Sequence, residues 1–135
     1  MKILIMGLPG SGKTYLAERL QPLIHAAWYN ADKVREMAGD WDFSEQGRKR
    51  QSERMNTFAE FEKSHERNVI CDFVCPTEET RKIFNPDLVI WLDTIDEGRY
   101  EDTNKIFEKP NSVDFHIKEW KEDNHEFIAR EINNV

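Results

Sequence analysis

Residues 7–14 read Gly7-Leu8-Pro9-Gly10-Ser11-Gly12-Lys13-Thr14. The spacing is G-x-x-x-x-G-K-[ST], the phosphate-binding loop pattern. At average residue usage, chance supplies it in roughly one chain in two hundred of this length. The flanks make accident rarer still. Lys2-Ile3-Leu4-Ile5-Met6 in front reads as a short buried strand, and Tyr15-Leu16-Ala17-Glu18-Arg19-Leu20 behind reads as a helix. Strand, glycine loop, helix is the setting the pattern requires. The glycines let the backbone curl so that successive N–H groups converge on an anion. The helix N-terminus adds positive potential there. The competing reading, a Gly-rich turn with an incidental lysine, leaves this setting to coincidence.

A chain of 135 residues has room for one compact domain, expected over 1–135. Its 39% hydrophobic content suffices for a core. A net charge of −7 argues against broad binding to nucleic acid or to an anionic membrane. Phosphates must therefore meet a locally positive site in an acidic protein. Cys71 and Cys75 fall in one apolar run, and no leader or membrane-spanning pattern is evident. A cytoplasmic, reduced protein is the expectation.

Along the chain, strands and helices alternate. The first helix is expected to end near 20–23, with Pro22 tolerated only at its edge. A second strand over 26–29 leads to Asn30 or Asp32 as the cap of a short helix through Met37. Ser44 opens a long polar helix over 44–66. A third strand covers 69–74, and Pro76 stops it. Thr77-Glu78-Glu79 starts another helix, with acid in its first turn. Leu88-Val89-Ile90-Trp91-Leu92 is an apolar run of the kind buried on both faces. A charged helix or hinged lid is expected over 96–107, within a lid segment of 96–110, then a fifth strand over 113–117. Lys118 to Ile132 closes the chain as a helix, with Trp120, Phe127, Ile128 and Ile132 inward. This alternation predicts a P-loop α/β fold: a five-stranded parallel sheet with helices on both faces. Ligands in such folds bind beyond the carboxyl ends of the strands. The useful residues are then the loop Gly7 to Thr14 with Tyr15, Asn30 and Asp32, Asp72 to Pro76, and Asp93-Thr94.

Lys13 is expected to reach the β- and γ-phosphates of ATP, and the Thr14 hydroxyl to ligate Mg²⁺. Asp72, after Val69-Ile70-Cys71, is the favoured second metal ligand. Asp93 after β-like Leu88 to Leu92 is its rival on pattern alone. Asp72 is preferred because metal acids in small kinases sit on the strand beside the phosphate-loop strand. Asp32 either accepts a proton from an acceptor hydroxyl or merely caps a helix. A GTPase would need D-x-x-G after the third strand and N-K-x-D for the base. Asn104-Lys105-Ile106-Phe107 lacks the aspartate. A motor or AAA-type ATPase is expected to need a longer chain. A small kinase remains.

The segment after the second strand resembles adenylylsulfate (APS) kinases. Asn30-Ala31-Asp32-Lys33-Val34-Arg35, then Phe43-Ser44-Glu45-Gln46-Gly47-Arg48-Lys49-Arg50-Gln51, is similar to their D-G-D-N-x-R and G-F-S-x-x-D-R-x-x-N. Val74-Cys75-Pro76 resembles their I-S-P, and Asp93-Thr94 their D-T. The resemblance covers residues 1–95. It departs at Asn30, at Gly47 and most of all in the lid. It implies that Asp32, Arg35, Phe43, Arg48, Gln51, Cys75 and Pro76 line the acceptor site. Phe43 would stack on the adenine of APS, and Arg48 would meet its anionic group.

Several residues carry a plainer reading as well. Phe43 equally suits a core position, and Arg48, Lys49, Arg50 and Arg54 suit a solvated helix face. Arg99 and Lys105 would close over the phosphates as lid cations, or simply sit on a charged helix. Cys71 is expected to pack in the core, since zinc needs more ligands than the neighbourhood offers. His25, His116 and His125 carry no motif, and Trp28 and Trp91 read as core. The leading expectation is an ATP- and Mg²⁺-dependent kinase with a small anionic nucleotide acceptor, APS first. Lys13, Asp32 and Arg99 would be its catalytic residues, and a homodimer is a possible assembly. One alternative is a kinase acting on a polynucleotide or modified nucleoside, with Lys49, Arg50 and Arg54 as a track. Another is a non-catalytic nucleotide-binding module.

Overall fold

The structure, a computed structural model, describes residues 1–134. Its strands are β1 (Lys2–Met6), β2 (Ala27–Asn30), β3 (Val69–Asp72), β4 (Leu88–Leu92) and β5 (Phe115–Ile117). They form one sheet in the order β2-β3-β1-β4-β5, and every pairing is parallel. The helices are α1 (Lys13–Leu23), α2 (Ala31–Ala38), α3 (Glu45–Ser64), α4 (Glu78–Phe84), α5 (Glu101–Ile106) and α6 (Asn124–Asn133). The parallel sheet with helices on both faces, expected from the alternation, is the architecture adopted.

β1 takes the centre because Ile3 to Met6 are apolar in succession and none has exposed surface. Side chains alternate across a strand, so each strand feeds two cores. Ile3, Ile5, Ile90 and Leu92 pack with Leu16 and Leu20 of α1 and Ile128 and Ile132 of α6. Leu4, Met6, Cys71 and Trp91 pack the other way, with Met55 and Ala59 of α3 and Phe84 of α4. The register pairs Ile5 with Asp72 and Asn30 with Asp72. The ends of β1, β2 and β3 therefore share one edge of the sheet, where the phosphate loop begins.

Local chemistry accounts for the departures from expectation. α1 runs one residue past Pro22, whose place in the last turn forfeits one backbone bond rather than breaking a helix interior. β3 ends at Asp72; Phe73 N adds one more bond to Ile5 O at 3.1 Å before the chain turns away. Asn30 is the cap of α2, its side chain accepting from Lys33 N at 3.1 Å. Asp32 lies inside the first turn and is not the cap. α5 is shorter than the expected 96–107. β5 begins at Phe115 rather than Val113. The closing helix begins at Asn124 rather than Lys118, so Trp120 belongs to the preceding loop. Gly47 opens α3 directly under the Asp42 carbonyl, where a Cβ would collide. That close approach is the physical reason for glycine where the APS kinase pattern carries aspartate.

Candidate functional site

The loop after β1 is shaped by residues that only glycine suits. Gly10 and Gly12 have φ of 94° and 104°, conformations that strain any residue with a Cβ. Ser11 N donates to Leu8 O at 3.0 Å, and Thr94 Oγ1 donates to Ser11 O at 2.8 Å, which ties the loop to the end of β4. Lys13 starts α1, and its Nζ donates back to Leu8 O at 3.2 Å. Burial lowers the Lys13 pKa to about 8, against the pull of Asp72 and Asp32.

Asp72 is 2% exposed and is surrounded by donors. Trp28 Nε1 reaches its Oδ1 at 2.7 Å, Asn30 Nδ2 its Oδ2 at 3.1 Å and Thr14 Oγ1 its Oδ2 at 3.2 Å. Burial still dominates and pushes the Asp72 pKa up to about 6, with Trp28 and Lys13 opposing. Asn30 also donates to Thr14 Oγ1 at 3.2 Å. One residue thus caps α2, steadies the buried carboxylate and holds the first turn of α1. The sequence offered Trp28 only as core. Its role follows from the register of β2 on β3, which sets Trp28 two residues before the Asn30–Asp72 pair. Asp93, the rival acid, faces away. Its Oδ2 lies 2.9 Å from His116 Nε2, and the His116 ring stacks on Trp91 with centroids 4.1 Å apart.

A cavity of about 680 Å³ opens from the phosphate loop. Pro9, Gly10, Gly12, Lys13, Thr14 and Tyr15 line its loop end, while Gly7, Leu8 and Ser11 are buried within the loop. Asp32, Arg35, Phe43, Arg48, Gln51, Cys75 and Pro76 line the other end, and Asp72 and Arg99 border it as well. Asp32 is exposed and has no hydrogen-bond partner among the described residues. Phe43 is half exposed rather than core. The Arg35 guanidinium lies 4.3 Å from its ring centroid and that of Arg48 5.6 Å. Arg35 is buried and donates to the Asp40 and Asp42 carbonyls. Arg48 donates to Phe43 O at 2.8 Å and to Thr103 Oγ1 of α5 at 3.4 Å.

Other candidates are already engaged. Gln51 donates to Ala31 O at 3.1 Å and accepts from Arg54 at 2.6 Å, so its polar atoms join α2 to α3. The Cys75 thiol is buried and donates to Thr80 Oγ1; burial holds it protonated, with a pKa near 12. Lys49 pairs with Glu79 at 2.9 Å, Arg50 with Asp40 at 2.7 Å and Arg54 with Asp40 at 2.8 Å. The supposed cationic track is a set of ion pairs. Lys105 pairs with Glu101 on α5 and does not line the cavity. Arg99 has no partner among the described residues.

Outside the cavity, Trp120 lies against Gly12, with ring atoms 3.6 Å from where a Cβ would stand. Tyr15 meets it edge-on, centroids 5.1 Å apart, and the Arg19 guanidinium lies 3.3 Å from the Tyr15 ring centre. This aromatic group beside the loop was hidden by placing Trp120 on a helix.

No curated protein matches the sequence. Solved structures do match in shape. The protein APE1195 is 22% identical, with a TM-score of 0.86 over 100% of this chain and 96% of its own. The Mycobacterium tuberculosis APS kinase CysC, solved with AMPPNP and APS, is 16% identical with a TM-score of 0.76, covering 98% of this chain and 95% of its own. Shikimate kinase from Aquifex aeolicus is 20% identical with a TM-score of 0.64, covering 99% and 94%. At such identities the likeness is one of fold, a P-loop fold that kinases of several small molecules share. Length proves no ground for setting AAA-type domains aside, because their family model fits within this short chain. Residues 3–109 match the model described as AAA domain, and the chain belongs to that family.

Proposed function

We propose that this protein is an ATP- and Mg²⁺-dependent kinase acting on a hydroxyl of a small anionic, nucleotide-like acceptor, with adenylylsulfate the first candidate. One observation carries the reading. An unpartnered carboxylate, Asp32, borders the same cavity as the phosphate loop, Lys13, Arg99 and the Arg35–Phe43–Arg48 group. A nucleotide-binding module without chemistry has no use for that second half.

The residues suit Mg²⁺. Thr14 Oγ1 and Asp72 Oδ2 are hard oxygen donors 3.2 Å apart. Mg²⁺ takes one or two protein oxygens and phosphates for the rest, so two such donors suffice. Bound there, Mg²⁺ would supply charge neutralisation on the phosphates. In this reading Lys13 and Arg99 stabilise negative charge on the transferring group. Asp32 orients the acceptor hydroxyl and accepts its proton. Trp120 and Tyr15 offer apolar faces to the base of ATP. Phe43 offers one to the acceptor, and Arg35 and Arg48 attract its anionic end. The APS kinase and shikimate kinase among the fold neighbours support a phosphotransferase.

The polynucleotide alternative loses support, since Lys49, Arg50 and Arg54 are held in ion pairs with Glu79, Asp40 and Asp42. The direct test is ATP turnover with Mg²⁺ against APS, shikimate, gluconate and single-stranded DNA. Turnover on APS supports the reading. Turnover on DNA alone, weakened steeply by salt, overturns it.

A further inference from the structure

The α3 wall of the cavity holds a polar atom with no assigned work. Ser52 is 1% exposed and lines the cavity, yet its Oγ has no partner within the geometric limits of a hydrogen bond among the described residues. Ser52 lies four residues after Arg48, so both project from one side of α3. A serine inside a helix ordinarily bonds back to the carbonyl four residues earlier or points to solvent; Ser52 does neither. The nearest group is the Cys75 thiol, which the Ser52 hydroxyl faces closely enough to oppose the upward push of burial on its pKa; a thiol is a weak acceptor, and its own proton is directed at Thr80 Oγ1. Buried hydroxyls are nearly always satisfied, and an orphan calls for a bound group that completes it. The adjoining polar side chains offer no substitute: both ends of Gln51 are taken, and Arg35 is held by two carbonyls.

We infer that Ser52 is a specificity-determining residue for the acceptor, its hydroxyl bonding a polar atom at the acceptor's buried end. This rests on the kinase reading above. A site built around a hydrogen bond rejects ligands that lack the matching group far more strongly than an apolar pocket rejects one extra atom. Ser52 thus selects acceptors with a hydrogen-bonding atom at that end, and excludes those that present hydrocarbon there.

Ser52→Ala removes only the oxygen and keeps the helix. The test first assays wild type with APS, shikimate and gluconate, then takes the phosphorylated one as probe. Ser52→Ala is expected to raise the KM for that acceptor about 5- to 100-fold, the span of one lost hydrogen bond to a buried group. The ATP KM should stay within about twofold on the same scale. A role confined to packing would move neither KM. The protein without ligands should be no less heat-stable than wild type, because the orphan is gone. An unchanged acceptor KM overturns the inference while leaving the kinase reading intact. If none of the three is phosphorylated, the kinase reading fails on its own evidence. The inference then falls with it, since it needs an acceptor; where an acceptor is phosphorylated, a lower Tm for ligand-free Ser52→Ala would mean that the hydroxyl has a partner within the fold and would overturn the inference alone.

Discussion

Asp72 is buried and Lys13 half-buried, and desolvation penalises the charged form of each. Activity and stability therefore pull in opposite directions at these positions. Lys13→Ala is expected to cut phosphoryl transfer by at least about 10²-fold, the scale of one lost charge-stabilising donor. Its Tm should not fall, because the desolvated ammonium goes with it. A variant that keeps near-normal turnover would sink the kinase reading. Asp32→Asn should reduce turnover by about 10²–10⁴-fold, as for a lost general base, with ATP affinity nearly unchanged. Lost ATP binding would instead assign Asp32 to the metal. For Asp72 the sign follows from its raised pKa. The folded state holds the Asp72 proton more tightly than the unfolded chain does. The associated stability is complete below the ordinary aspartate value near 4 and is lost as pH rises through about 6. Asp72→Asn has no such titration. From pH 4.5 to 7.5, wild type should lose about 2 kcal/mol relative to the variant. Urea unfolding of the two proteins across that range measures it, and a constant difference would mean that Asp72 titrates as an ordinary carboxyl.

At the scale of elements, the strand ends carry the site and the loops finish it. The apolar runs of β1, β3 and β4 were legible because central parallel strands are hydrophobic on both faces. Alternation did not set the strand order: Asp72 was favoured from the habit of small kinases, and the order β2-β3-β1 is what places it beside Thr14. The loop between β5 and α6 was not legible. Trp120 stands four residues before Asn124 and seven before Phe127, a spacing that fits one helix face. What decides against the helix is tertiary: Trp120 finds Gly12 and Tyr15, a contact between distant segments that no local pattern encodes. Phe127 is itself half exposed, so the expected inner face was two residues too wide. If this loop holds the nucleotide base, Trp120→Ala should raise the ATP KM by about 5- to 150-fold, the equivalent of 1–3 kcal/mol for a lost stacked base. The acceptor KM should stay put. Equal effects on both substrates would mean that the loop only braces the P-loop.

Across the whole molecule the two ends of the sheet divide the work. At the carboxyl end lie the cavity, the strained glycines and the buried acid. At the opposite end lies Lys2, 1% exposed, with Nζ 2.7 Å from both Asn56 Oδ1 and Glu60 Oε1 and 5.4 Å from the Phe84 ring centre. The sequence marks Lys2 only as the polar start of a strand, since its partners lie more than fifty residues away on α3. Its aliphatic stem fills core space and its ammonium holds α3 against the sheet, with no contact to the cavity lining. Lys2→Ala removes both and should cost on the order of 2–4 kcal/mol, as for a buried large-to-small change with lost hydrogen bonds. Lys2→Met keeps the stem and frees Glu60, which is half exposed and returns to water. It should cost less, about 1–2 kcal/mol. Below their unfolding temperatures both variants should keep the wild-type KM values for ATP and acceptor. Paired with Lys13→Ala, which is expected to lose activity without losing stability, they form a double dissociation measured by thermal melts and steady-state rates. A change of KM in Lys2→Met, with the fold intact, would show that the far end of the sheet is coupled to the site and that the division is wrong.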